Sequence, residues 1–280
     1  MKKTKTVRTY SSMISREDTE YLSSYIEYDE HGNVVLAETY MAEDEIESKN
    51  TYLYDEKGRL VEEVNYISIE EFGEKLSYIR DDDGKITAVE VTYGDGSMSF
   101  RRYERDVAEK TLTITITDDD GESEGSETIK FNDNDLMVEK TVVNEDNVIE
   151  EHIRIEYDSE NKIVKECEYE SGDRLMFENL YKYDETGKLI LRVKVNRKRE
   201  LIEKVEINYD ERGNAIEQKY GDMYLIKRAF DDNGNVVKEE RFNALGIMES
   251  ITESVFDETG LLVEETGLTT RVRYEYEFFE

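Results

Sequence analysis

Two histidines, one cysteine and 69 carboxylates are the side chains of this sequence that could support acid–base, nucleophilic or metal chemistry. Such chemistry needs partners within hydrogen-bond reach of one another. His31 falls in the turn-like stretch Tyr28-Asp29-Glu30-His31-Gly32. His152 falls on the charged side of a strand pattern whose other side carries Ile153, Ile155 and Tyr157. The two are far apart, neither lies beside a nucleophile pattern, and both read as ordinary surface residues. Cys167 stands between Glu166 and Glu168, whose charge disfavours a thiolate. As the single cysteine it permits no internal disulfide and no thiolate cluster. The carboxylates are too evenly spread to single out a pair for glycoside hydrolysis. A calcium loop of the helix–loop–helix type needs an oxygen ligand five residues before its glycine. Before Gly84, Gly121 and Gly234 that position holds Ile79, Ile116 and Ala229. There is no phosphate loop and no basic patch interleaved with aromatics. The expectation is a protein that is not an enzyme and needs no cofactor or metal.

The elements that carry these residues come from a repeat. Tyr183-Asp184-Glu185-Thr186-Gly187-Lys188-Leu189 recurs as Tyr28-Asp29-Glu30-His31-Gly32-Asn33-Val34, as Tyr54-Asp55-Glu56-Lys57-Gly58-Arg59-Leu60, and again from Tyr209, Phe230 and Phe256. Taking Tyr28, Tyr54, Arg80, Tyr103, Phe131, Tyr157, Tyr183, Tyr209, Phe230 and Phe256 as openers, the steps are 26, 26, 23, 28, 26, 26, 26, 21 and 26 residues. Asp at the first turn position can accept hydrogen bonds from the backbone two residues on. Glycine at the fourth supplies the left-handed conformation of a type I turn plus bulge. Asp135 and Asn161 stand in for that glycine, and both types tolerate positive φ.

Between turns the apolar residues alternate. Leu189, Leu191, Val193 and Val195 share one face, Leu201, Val205, Ile207 and Tyr209 another, and Val272, Tyr274, Tyr276 and Phe278 a third. The spacing predicts an all-β fold of about ten antiparallel hairpin repeats of ~26 residues, forming one long curled sheet with its tyrosine-rich apolar face inward and its charged face outward. Closure into a barrel is disfavoured because side chains could not fill so wide an interior. Residues 1–20 are expected as an N-terminal cap or extension, with a short helix around Ser15–Asp18 as one form, and 21–280 as a single repeat domain. Proline, which cannot donate to a ladder, is absent.

The net charge is −32. Such a surface repels nucleic acid and anionic membranes and attracts basic partners. No segment approaches the roughly 18 apolar residues of a membrane span, and the basic N-terminus Met1–Arg8 is followed by no apolar run. A cytoplasmic location is the expectation.

The Tyr-Asp-x-x-Gly-[Asn/Lys/Arg]-hydrophobic pattern resembles the YD repeats of RHS and teneurin-type proteins over about residues 21–280. That resemblance implies a strip of β-hairpins of the kind that spirals into a hollow shell, often around a toxin. Here the repeat is longer than the family's usual twenty or so residues, the chain is much shorter than a full shell, and the proline-containing motif that ends RHS cores is missing. What remains is similar to short stand-alone YD-repeat proteins without a toxin domain.

The function expected from this is non-enzymatic protein binding: an immunity-type inhibitor or chaperone-like partner of a bacterial toxin, acting on a basic toxin domain. The alternatives are a carbohydrate-binding or cell-surface module, or an acidic nucleic-acid mimic. The expected partner-binding residues lie in the acidic loops opposite the motif turns, Glu43, Asp44 and Glu45 in one and Asp118, Asp119, Asp120, Glu122 and Glu124 in the other. Loops of this kind carry function in repeat scaffolds.

Overall fold

A computed structural model describes residues 2–41, 45–68, 71–170 and 173–280. The chain is a single antiparallel sheet of 22 strands, β1 (Thr4–Met13) to β22 (Thr270–Phe278), each paired with its neighbours in sequence. The expected open strip is corrected here. β1 pairs with β22 over Thr4↔Phe278 to Met13↔Thr270, so the sheet closes into a barrel and no edge remains. Residues 4–13, expected as part of a cap, are the strand that makes the closure, and they do so without a helix.

The objection to closure was an interior too wide to fill, and the interior is indeed left unfilled. No strand approaches any strand except its two ladder neighbours among the described residues. The accessible surface is 18005 Å², against about 12,500 Å² for a compact chain of this mass. Among the described residues only seven apolar side chains are buried, including Val89, Val91, Ile155 and Val205. A round wall of 22 strands ~4.8 Å apart and tilted by ~37° is roughly 40 Å across. Removing both edges offsets the absence of a filled core, because every strand has its ladder hydrogen bonds on both sides.

Around the ring the register slips by roughly one residue per strand. Combined with the right-handed strand twist, that slip turns the face carrying Tyr78, Val89, Val91 and Tyr181 to the inside. The expected division into apolar inner and charged outer faces holds only in part. Arg192 pairs in register with Val205 and Val193 with Lys204. Leu191, Val193 and Val195 therefore lie outside, while Arg192 and Lys194 point inward toward Glu203 and Glu168. In a packed sandwich such an offset would bury charges. A hollow barrel leaves both faces wet, so nothing enforces one register of polarity.

The motif turns form one rim. An Asp side chain caps each turn except the one after Phe131, where Asn132 does so: Asp184 Oδ1 accepts from the backbone N–H of Thr186 and of Lys188, both at 2.9 Å. Gly187 sits at φ 86° and donates to the Asp184 carbonyl. Asp135 and Asn161 take positive φ at the same place. The unit opened at Tyr103 is displaced. Its turn is capped by Asp106, which accepts from Ala108 and Glu109, and the left-handed residue is Lys110. Counted on the capping residue, the steps of 23 and 28 become 25 and 26 (Asp81 to Asp106 to Asn132).

The opening tyrosine ties each unit to the one before. Tyr157, Tyr183 and Tyr209 donate their hydroxyls to the carbonyls of Met137, Ile163 and Leu189, each 20 residues back, at 2.7–2.8 Å. Each of those carbonyls belongs to the first strand residue after the preceding turn, beside a bulge in the ladder. The basic residue after the left-handed position reaches forward in turn: Lys162, after Asn161, lies over the Tyr183 ring and Lys188, after Gly187, over the Tyr209 ring.

Candidate protein-binding surfaces

The second rim holds the hairpin tips that do not carry the motif, and both acidic loops lie there. Several of these tips repeat the motif's turn chemistry with asparagine. Asn144, Asn196 and Asn243 each accept from the N–H groups two and four residues on. Asp118 does the same for Glu122 at 2.7 Å. Two of the eight expected partner residues are thus already engaged in the fold, because Glu124 accepts from the buried Ser99 hydroxyl at 2.6 Å and Asp118 is a turn cap. Asp119, Asp120, Glu122 and Glu45 are exposed. Glu43 and Asp44 lie outside the described residues. The two loops share a rim but are six strands apart, about 29 Å along the wall. They form two acidic points and not one patch.

His31 is an exposed turn residue, as expected. His152 is not an ordinary surface residue: 6% of its side chain is exposed, although it stands on the outer wall. Its Nε2 is 2.9 Å from Glu139 Oε1, which also accepts from Arg154 Nε at 2.9 Å. Lys130 donates to the other oxygen at 2.6 Å, and the Tyr169 ring lies 5.0 Å from the imidazole. The Lys130 hydrogen bond, reinforced by those of His152 and Arg154, holds the Glu139 carboxyl down at about 2. Burial pushes the Cys167 thiol up, and in the ladder it faces Arg154 and Glu178. Glu139 is a fixed anion and not a base, and Cys167 is held as a thiol. The cluster is an ion-pair network that knits four strands together. Sequence reading missed it because its members are spread over 40 residues and meet only through the register.

On the inner wall, tyrosines stand beside carboxylates. Tyr274 donates to Glu265 at 2.6 Å and Tyr78 to Glu63 at 3.4 Å. Burial, then the contact with Glu265, raises the Tyr274 pKa. On the outer wall, ion pairs such as Lys75–Glu62, Lys130–Glu139 and Arg273–Glu20 recur around the ring. Among the described residues no helix is long and apolar enough to cross a membrane. Among the described residues no group of His, Cys, Asp and Glu is arranged to hold a metal ion.

No family model matches the chain, and no curated protein matches it. Solved structures with a related course of the backbone include two crystal structures of TcdB2-TccC3 fusions, with TEV and with Cdc42. They are 10% and 12% identical, with TM-scores of 0.34 and 0.36. Each match covers 91% of this chain, which spans 16% of the length of those chains. A porin-like protein from Bacteroides uniformis is 10% identical with a TM-score of 0.38, covering 98% of this chain and 96% of its own. These likenesses are weak.

Proposed function

We propose that this chain is a non-enzymatic protein-binding barrel that engages a basic partner, as an immunity-type inhibitor or chaperone-like companion of a bacterial toxin domain would, in the cytoplasm. The observation that carries the reading is the state of the rim carboxylates. Asp119, Asp120, Glu122 and Glu45 stand exposed at hairpin tips and form no ion pair among the described residues, in a chain of net charge −32. Many carboxylates of the walls, by contrast, already hold a lysine or arginine. Unpaired charges at a rim steer encounter and choose partners by sign. The absence of a matched acid–base or nucleophile pair at His152 and Cys167 favours binding over catalysis.

Affinity capture of the tagged full chain from its host, at low and at moderate salt, tests this. The expected result is one stoichiometric basic protein, lost when Asp119, Asp120 and Glu122 are changed together to Asn, Asn and Gln. Recovery of an acidic or neutral partner unaffected by those changes would overturn it. The inner-wall pairing of tyrosines with Glu63 and Glu265 supports a second reading, carbohydrate binding in the lumen. Selective binding on a glycan array, lost in Tyr78→Phe, would favour that reading.

A further inference from the structure

The inner wall uses one arrangement three times and completes it differently each time. Glu63, Glu166 and Glu265 follow Tyr54, Tyr157 and Phe256 at the same spacing, and each has a tyrosine diagonal to it on the next strand: Tyr78, Tyr181 and Tyr274. Two of these carboxylates have a close neutral donor. Asn179 donates to Glu166 at 2.9 Å and Tyr274 to Glu265 at 2.6 Å. At Glu63 the place of Asn179 is taken by Leu76, and Tyr78 donates at 3.4 Å. On the strand before, Ile155 faces Glu166 and Ser254 faces Glu265, whereas Tyr52 faces Glu63. Tyr54, two residues on, is within electrostatic reach of both Tyr52 and Glu63.

This half-buried group lacks a cation. Nine other aromatic rings among the described residues have a lysine or arginine over them, 4.2–5.7 Å from the ring centroid. Tyr52, Tyr54 and Tyr78 have none, and neither Glu63 nor Glu74, diagonal to it, forms an ion pair among the described residues. Arg101 lies on the same wall, but three ladders from Glu63, roughly 14 Å. Arg80 is tied to the carbonyls of Leu60 and Gly84. Burial, and after it Glu63, raises the pKa of Tyr52 and of Tyr78, so both phenols stay protonated and their rings uncharged. A neutral ring face attracts a cation by ~0.5–2 kcal/mol, and a carboxylate beside it adds a charge-assisted contact. A bare metal ion asks instead for several oxygen ligands.

We infer that Glu63, Tyr52 and Tyr78, with Tyr54, form a lumenal site for an organic ammonium ion, borne by an alkylated amine or by an amino sugar. The site is on the inner wall, and the rim carboxylates of the basic-partner reading are no part of it. With an amino sugar as ligand it rests on the lumenal carbohydrate reading and narrows it to cationic sugars.

Isothermal titration of the full chain at fixed ionic strength with tetramethylammonium, glucosamine and glucose tests it. The expected result is a dissociation constant on the order of 1 mM for at least one of the two ammonium ions and no binding of glucose. Tetramethylammonium alone would identify an alkylated amine, and glucosamine an amino sugar. Glu63→Gln should weaken binding about tenfold and Tyr52→Leu about fivefold. Tyr78→Phe, which keeps the ring, should stay within about threefold of the parent, and Glu265→Gln should change nothing. No binding of either ammonium ion, or binding indifferent to Glu63→Gln, would overturn it. Glucose bound as well as glucosamine would overturn it too, while leaving the carbohydrate reading in place.

Discussion

The guanidinium of Arg80 donates to the carbonyl of Leu60 at 3.1 Å, 20 residues back along the chain. That is the contact Tyr183 makes with Ile163 through its phenol. In the sequence Arg80 looks like a degraded copy of the motif, because it is not aromatic. In the barrel it is an equivalent, since the position asks for a long side chain with a donor at its end. Arg105 does the same for Ile86.

Tyr183→Phe removes the donor and keeps the ring, so it should destabilise by about 1 kcal/mol. Arg80→Tyr should keep the contact and stay within about 0.5 kcal/mol of the parent, while Arg80→Ala should lose ~1–2 kcal/mol. Urea unfolding curves with unchanged slopes give these differences.

Closure can be checked by a covalent bond across the seam. Ser11 and Val272 are directly opposed in the β1–β22 ladder. With Cys167 changed to Ser, Ser11→Cys and Val272→Cys should form an intramolecular disulfide on mild oxidation. Mass spectrometry should find it in monomeric protein, and the cross-link should raise the unfolding temperature.

The Glu139 carboxyl has its pKa lowered from 4.5 to about 2 in the folded barrel, chiefly by Lys130. A lowered carboxylate pKa means that the unfolded chain takes up the proton first as pH falls. Its contribution is therefore complete above about 4.5, falls as the pH drops below that, and is gone once the pH passes about 2. Glu139→Gln should cost about 1–3 kcal/mol at neutral pH and should flatten the stability profile between about 4.5 and 2. Equilibrium unfolding across that window gives the profile.

Two glycines with positive φ separate backbone strain from collision. At Gly260 (φ 85°) an added Cβ meets nothing within 4 Å, so Gly260→Ala should cost only the left-handed conformation, ~1 kcal/mol. At Gly125 (φ 130°) the Cβ would stand 2.4 Å from the Val143 carbonyl oxygen, which is fixed in the ladder. Gly125→Ala should therefore be worse by at least ~2 kcal/mol, seen as a lower midpoint in the same titration.

The hairpins were legible in the sequence because local chemistry alone selects them. Asp184, Gly187 and the alternating residues after them need no knowledge of the rest of the chain. The unit opened at Tyr103 is displaced from its aromatic because the turn follows its cap, Asp106. Closure was not legible. It depends on whether strands 269 residues apart in sequence, represented by Arg8 and Glu277, meet after the register has slipped around the whole ring. No single repeat records that sum. The site suffers for the same reason: Asp119 and Asp120 could be named, but the neighbours that would make them a patch are set by position around the wall.

Thr4 pairs with Phe278, and Phe279 donates to the carbonyl of Lys3, so the two ends of the polypeptide lie side by side. Each strand is coupled only to its neighbours, and the last neighbour of the last strand is the first. Such a chain has no structural beginning. A short linker across the seam and a new opening at another hairpin tip would leave the set of couplings unchanged. The β1–β22 ladder would become an ordinary local hairpin, and some other ladder would become the one contact that must form across the full length of the chain. Where the ring opens is therefore a matter of folding order and not of architecture.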